Sequence, residues 1–411
     1  MIENRMPSLP EGFKEMLKDL LGDEEACLLI AHLEMPPVTS VRLNRRKPVA
    51  EFSDTSPVAW CRSGLYLPER PEFIFDPLLH AGAYYVQDAS SMIYETMAER
   101  LVELFKADKS TRNPNTGGDP TLKVLDLCAA PGGKTTAMIN GLPDGSRITA
   151  NEYSPKRVGA LKENIERWGY PDVTVTNRDS SYFATQGENF DIVAVDAPCS
   201  GEGMMRKEEM ARKQWSPQLI MQCSSLQREI LQNAEKALKP GGFLIYSTCT
   251  FNREENEKNA EYISNKLGLE PVDLELPDDW GISHGIATSL PVYRFMPHKT
   301  RGEGLFLSVF RKRGEWTESK PAVISVKQPK GKRTIQAGVL KNVEAAAVNV
   351  EVGKTTALKY LKGESIVLPP ETPKGLVTIT YKGLPLGEAK NIGSRANNLL
   401  PKNRRILKKF P

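Results

Sequence analysis

No stretch of this sequence approaches the ~18 to 20 consecutive apolar residues that a transmembrane helix requires, so a membrane span is excluded. Cysteine is scarce: six in 411 residues, scattered, with no CxxC and no Cys/His pair at zinc spacing. That rules out a disulfide framework and leaves reduced thiols as the expectation. The four histidines, His32, His80, His284 and His298, show no ligand spacing, and no metal is expected. Charge of one sign is not in large excess either, the net being +4. The amino terminus, MIENRMPSLPEGF, carries acids and prolines where a signal peptide needs a basic stretch followed by an apolar one, so a cytoplasmic location is expected. No internal repeat is found.

What is present suits a globular chain of two or three domains, since 411 residues exceed the usual size of one hydrophobic core. The first part reads as a small α+β unit, with helices over Glu11 to Leu21 and Glu24 to Leu33, a strand at TSVRLN, and a basic cluster of Arg42, Arg45, Arg46 and Lys47. From Tyr84 to about Phe105 the pattern reads as helical, and KADKSTRNPNTGGDPT as an exposed loop. Between Leu122 and Lys312 strand and helix alternate. LKVLDLC, RITANE, VTVTN, FDIVAVDA and FLIYSTC read as buried strands of a parallel sheet that VYRFMPH and GLFLSVFRK would close. The clearest helix begins at Pro217, where Leu219, Cys223, Leu226 and Ile230 repeat at helical spacing. Beyond Lys312 come a Lys- and Pro-containing linker and short β-prone runs with one helix at Thr355 to Leu361. The expected domains are 1–77, 78–313 and 314–411.

Three cysteines stand where strand-like runs stop: Cys128 in VLDLCAAPGGKTT, Cys199 in DAPCSGEG and Cys249 in YSTCT. In open α/β sheets ligands gather beyond the carboxyl ends of the strands, so all three can face one crevice. AAPGGKTT is not a Walker loop, because Cys128 occupies the position of its first glycine; GKTT at Gly353 fails likewise, with Val348 there. CAAPGGK does not supply the GxGxxG of a dinucleotide site either. It remains a tight turn whose small residues Ala129, Ala130, Gly132 and Gly133 let a ligand approach the backbone. Glu152, at the end of the next strand, is placed to accept hydrogen bonds from a ribose diol, Asp179 after the third strand to reach an adenine edge, and Asp196 to lie between cofactor and chemistry. The competing reading is that such acids only cap loops. Cys27, Cys61 and Cys223 read as buried hydrophobes.

These motifs, with YYVQDASSM, ANEYSPKRV, STCTFNREENE, FMPH and GSRANNLLPKNRRI, run through nearly the whole chain. On them it resembles the RNA 5-methylcytosine methyltransferases of the NOL1/NOP2/Sun group, in particular the bacterial RsmF type. The resemblance implies a Rossmann-like, S-adenosyl-L-methionine-dependent methyltransferase sheet between a small N-terminal α+β RNA-binding domain and a C-terminal, β-rich, PUA-like RNA-binding domain. It implies that Cys249 attacks carbon 6 of cytosine, that Cys199 assists release, and that Asp196 hydrogen-bonds the ring at nitrogen 3. It places the cofactor on Cys128, Ala129, Ala130, Pro131, Gly132, Gly133 and Lys134, with Glu152 on the ribose and Arg157 nearby; Lys134 reads equally as an active-site group and as a loop cation. DNA cytosine methyltransferases attack with a PC-motif cysteine, which leaves Cys199 as the alternative nucleophile.

A cytosine modified in this way must enter a deep pocket, unpaired or flipped from its stack. By resemblance the substrate is 16S ribosomal RNA in its decoding region, bound by a monomer without metal or membrane. Transfer RNA methylation and a non-catalytic ribosome-assembly role are the alternatives. The acid-free segment from Asn391 to Pro411, with Arg395, Lys402, Arg404, Arg405, Lys408 and Lys409, suits phosphate contacts.

Overall fold

Glu11 in the first turn and Lys18 in the last complement the dipole of the first helix, Glu11–Leu21, and Gly22 ends it at a positive φ of 81°. Its buried Phe13 and Leu17 pack with Leu29 and Leu33 of the second helix, Asp23–Leu33, onto Met205, Phe251 and Met296. The computed structural model describes residues 6–112, 118–318 and 348–408. Most of the expected linker after Lys312, Lys409, and part of the polar stretch between Lys106 and Thr121 lie outside the described residues.

A four-stranded antiparallel sheet follows, in the order Ser56–Val58, Cys61–Tyr66, Ser40–Leu43, Tyr84–Val86. Its last strand corrects the helical reading that began at Tyr84 and lies beyond residue 77, where a boundary was expected. Tyr84, Tyr85 and Val86 are aromatic and β-branched, and they pair with Leu43, Arg42 and Val41. Helical periodicity begins only at Ile93, where Ile93, Met97, Leu101 and Phe105 line the buried face of the helix Ile93–Arg112. Arg42 is fully buried and fastens this domain to the next: it donates to Gln87 Oε1 at 2.8 Å, to the Thr136 carbonyl at 3.0 Å and to the Gly133 carbonyl at 3.2 Å, and lies over the Trp168 ring. The basic cluster around it is used in the same way, Arg45 on Glu99 and Lys47 on the carbonyls of Ala81 and Arg167.

The central sheet, nine-stranded among the described residues, has the expected parallel part in the order Val173–Thr176, Arg147–Asn151, Lys123–Asp126, Phe190–Asp196, Leu238–Thr248. Leu305–Arg311 and Val292–Phe295 continue it antiparallel, so the sheet is mixed. Chain order runs outward in both directions from Lys123–Asp126. The strand order therefore reverses between that strand and Phe190–Asp196, and a crevice opens there at the carboxyl ends. Apolar side chains cover both faces of the sheet.

The helix Pro217–Ala237 starts as read, with Pro217 in its first turn and Ser216 Oγ accepting from the Leu219 amide at 3.1 Å. Its inward face matches the apolar stripe only in part: Ile230 is buried as expected, but so are Ile220, Ser224, Gln227 and Leu231, while Leu219 and Cys223 are half-buried and Leu226 is 46% exposed. Polar side chains face inward there because Ser224 and Gln227 hydrogen-bond the loops that follow Phe190–Asp196 and Leu238–Thr248.

The last domain is a four-stranded sheet, Val348–Glu351, Gly375–Tyr381, Leu384–Asn391 and Ala396–Asn398, with the helix Lys354–Leu361 against it. ESIVLPP supplies no strand, only a bridge from Ile366 to Ala396, since its two prolines cannot donate to a ladder. The core of this domain takes in Ala81 and half-buried Phe75 from the N-terminal unit.

Candidate active site

Register brings the two cysteine motifs together. Asp196 pairs with Ser247 at the ends of adjacent parallel strands, and the amide of Ala197 donates to the Ser247 carbonyl at 2.9 Å. Both chains leave the sheet side by side, Cys199 three residues later and Cys249 two. Their sulfurs lie 3.3 Å apart. The hydrogen bond to Cys249, together with burial and nearby Glu255, holds the Cys199 thiol well above the ordinary thiol range.

Asp196 is held at both oxygens. Lys134 Nζ donates to Oδ2 at 2.8 Å and Ser247 Oγ to Oδ1 at 2.7 Å, with the Tyr94 hydroxyl 2.8 Å from Ser247 Oγ. Burial works against the Lys134 ammonium, but Asp196, with Cys249 and Asp88, more than offsets it and raises its pKa. Lys134 thus stands where its charge faces both Asp196 and Cys249. Beneath it, burial pushes the Asp126 carboxyl up to about 7 while Thr135 Oγ1 donates to it at 2.5 Å, tying the first turn of the helix Gly133–Gly141 to its strand.

Two buried glutamates that sequence reasoning left without a role stitch the loops into one body. Glu255 Oε2 accepts from the Ser200 amide at 3.0 Å and from Gln227 Nε2 at 2.7 Å, and Oε1 from Asn252 Nδ2 at 2.8 Å. Glu202 Oε2 accepts from the amides of Phe251 at 2.6 Å and Asn252 at 2.9 Å, and Oε1 from Trp215 Nε1 at 3.0 Å. Each acid sits in the loop of one cysteine and bonds the loop of the other or the helix behind it. Gln227 also donates to the Pro198 carbonyl at 2.9 Å, which explains its place on the buried face of its helix. The available signal was an acid within a few positions of each cysteine, in CSGEG and CTFNREEN, where a merely solvated loop has no need of one.

Across the crevice, Glu152 is 4% exposed; its Oε1 accepts from the Ser154 amide at 2.8 Å, and its Oε2 has no hydrogen-bond partner, with Arg157 Nη1 3.4 Å away. A buried acceptor left open is what a ribose diol would fill. Arg157 also reaches the Ala130 carbonyl. Gly132 adopts φ 106°, and a side chain there would meet Leu161 Cδ1 at 3.2 Å, so only glycine fits easily while the helix start stays open to a ligand. Cys128 sits in this turn half-buried, its thiol pushed up by burial and by Asp126, Asp196 and Glu152, which suits packing rather than reaction. Asp179 is exposed and caps the helix Ser180–Thr185 through the Ser181 amide at 2.9 Å, so its placement matches the loop-capping reading at one oxygen. Of the cysteines read as buried, Cys61 is, Cys223 is half-buried, and Cys27 is exposed because it lies on the outer face of its helix.

The described residues hold no helix long and apolar enough to cross a membrane. Family models match in chain order: the N-terminal domain of 16S rRNA methyltransferase RsmF at residues 9–89, 16S rRNA methyltransferase RsmB/F at 116–311, and the methyltransferase RsmF PUA domain at 347–406. Among curated relatives, ribosomal RNA small subunit methyltransferase F of Aliivibrio fischeri (strain MJ11) is 32% identical over 85% of this chain and 72% of its own length. Its namesake in Escherichia coli O81 (strain ED1a) is 32% identical over 89% and 77%. A solved structure of NSun6 from Pyrococcus horikoshii with SFG shares the fold at a TM-score of 0.61 and 22% identity, covering 75% of this chain and 99% of that one.

Proposed function

Because this chain belongs to the RsmB/F family of 16S ribosomal RNA methyltransferases, we propose that it methylates carbon 5 of cytosine in the decoding region of 16S ribosomal RNA through a covalent bond between Cys249 and the base. The observation that carries this reading is the 3.3 Å separation of the Cys199 and Cys249 sulfurs. Methylation of a ring or exocyclic nitrogen needs no thiol, whereas carbon 5 is too poor a nucleophile without one.

Cys249, its thiol proton passed to ring nitrogen 3 through Asp196, adds as the thiolate to carbon 6, and the electrons of the 5,6 double bond shift to make carbon 5 an enamine nucleophile. Asp196, oriented by Lys134 and Ser247, supports the protonated ring edge at nitrogen 3. S-adenosyl-L-methionine is the cofactor of the family and supplies an electrophilic sulfonium methyl group when bound. Glu152 would hold its ribose and the Cys128 to Lys134 turn its amino-acid end, with Arg157 and Asp179 at the rim. Once Cys249 is bonded to carbon, its sulfur no longer bears the charge that keeps the proton on Cys199. After carbon 5 has bonded to the methyl group, Cys199, its own proton given to water, takes the proton that carbon 5 still carries, and that C–H electron pair re-forms the 5,6 double bond. The bond between carbon 6 and sulfur breaks, and its electron pair returns to Cys249.

Cys249→Ala should abolish both methylation and covalent attachment. Cys199→Ala should leave attack possible and impair release, so a methylated RNA–protein adduct accumulates. Denaturing gels with labelled RNA and cofactor read this directly: a retarded band is expected for Cys199→Ala alone. An adduct in Cys249→Ala but not in Cys199→Ala would reverse the roles, and full methylation by both variants would remove the covalent route.

A further inference from the structure

Between the N-terminal helices and the sheet lies a cavity of about 170 Å³ whose lining includes His32, Arg206, His298, Lys299, Arg301 and Gly302. None of these residues takes part in the chemistry described above. One donor at its wall is buried without a hydrogen-bond partner: Nε of Arg206, whose side chain is 3% exposed. Buried donors are rarely left open in this way, and this one calls for an acceptor.

The charges nearby specify the acceptor. Arg206 Nη1 faces Glu303 Oε1 at 3.6 Å, with Lys207 Nζ 3.2 Å from the same oxygen. Lys299 Nζ pairs with Glu25 Oε1 at 2.6 Å, and His298 Nε2 lies 3.2 Å from it. Arg301 is exposed and stacks over Tyr66 at 4.3 Å. Four cations (Arg206, Lys207, Lys299, Arg301) thus stand against three carboxylates (Glu25, Glu303 and Asp88, whose Oδ1 accepts from the Glu303 amide at 2.9 Å), leaving one positive charge uncompensated. An anion whose oxygens only accept hydrogen bonds, as in a phosphodiester, matches this set.

The cavity shares a wall with the thiol loops. Gly203 donates to the Cys249 carbonyl at 2.8 Å, and a side chain at Gly203 would lie 3.0 Å from that oxygen and 2.7 Å from the Glu303 carbonyl, adjoining Gly302 of the cavity. Resting on the reading of the chain as an RNA cytosine methyltransferase, we propose that this cavity binds a backbone phosphate flanking the target cytidine, anchoring the strand as the base enters the thiol crevice.

The test uses the full-length protein and a fluorescein-labelled single-stranded RNA with one cytidine, read by anisotropy at several salt concentrations. Lys299→Gln and Arg301→Gln alter exposed side chains. The double variant should bind several-fold more weakly, with the log–log salt slope reduced by about 0.7 for a single phosphate that the protein no longer neutralises. Neutral methylphosphonates placed singly along the RNA should weaken the wild type at a linkage beside the cytidine and have no effect there in the double variant. An unchanged slope, or an equal methylphosphonate penalty in both proteins, overturns the proposal. Cytosine-5 methylation by the wild type together with either of those results leaves the enzymatic reading intact and removes the cavity alone; wild type that binds no RNA removes both.

Discussion

Glu152 illustrates how much one side chain states by what it leaves open. One of its carboxylate oxygens is satisfied by the Ser154 amide and the other is buried without a hydrogen bond. Such a group costs free energy in the empty protein and returns it when a hydroxyl arrives. Glu152→Ala should therefore weaken S-adenosyl-L-methionine by ~1.5 to 3 kcal/mol, about 10- to 150-fold in Kd, typical of a hydrogen bond to a charged group. Isothermal calorimetry decides it, and unchanged affinity would take Glu152 out of the cofactor site. Asp179, by contrast, was legible as an acid after a strand, yet its Ser181 bonds show that the same residue also serves its own helix.

For the elements, the informative unit is the pair of loops held by Glu202 and Glu255. Neither loop has a regular ladder beyond its strand, so the thiol separation depends on these side chains and on Gln227 from the helix behind. Glu255→Gln keeps the shape but has one acceptor oxygen where three donors converge, so a donor would face an amide –NH2. The expected cost is about 1 to 3 kcal/mol of stability for the donor left unmet, with slower adduct formation at saturating cofactor. Urea unfolding and single-turnover gels measure the two effects; wild-type values in both would show the stitch to be idle. The apolar stripe on Pro217–Ala237 held at Ile230 and failed at Leu226 because hydrophobic spacing does not register a polar residue, here Gln227, drawn inward by a neighbouring loop.

Over the whole molecule, the three parts are fastened by charged groups, buried at Arg42 and exposed at Lys408, as well as by apolar contact. Arg42 holds the N-terminal sheet to the helix that opens the cofactor turn, and Lys408 pairs with Glu72 across the chain. Burial, with Arg404 of the last domain adding to it, pushes Lys47 down to about 8, so cations of the first and last domains share a surface. Of the basic C-terminal segment, Arg395 and Lys402 are exposed, whereas Arg405 Nε is spent on the Leu400 carbonyl at 3.0 Å. Replacing Arg395 and Lys402 by Gln should weaken RNA binding and lower the salt slope by about 0.7 to 0.9 for each phosphate contact removed, with cofactor affinity unchanged. An identical slope would place the RNA elsewhere on the protein.

Taken alone, the sequence determined the alternation of strand and helix, the ends of the first helix and the start of Pro217–Ala237, and which thiols and acids stand at strand ends. These are local matters, set by periodicity, capping and turn residues. Tertiary structure decided the rest. Tyr84–Val86 became a strand because Ser40–Leu43 offered it a partner; Leu305–Arg311 and Val292–Phe295 turned the sheet mixed; and Cys199 met Cys249 because Asp196 and Ser247 fell into register. Each of these rests on a contact between residues far apart in the chain, and no local pattern carries the identity of a distant partner.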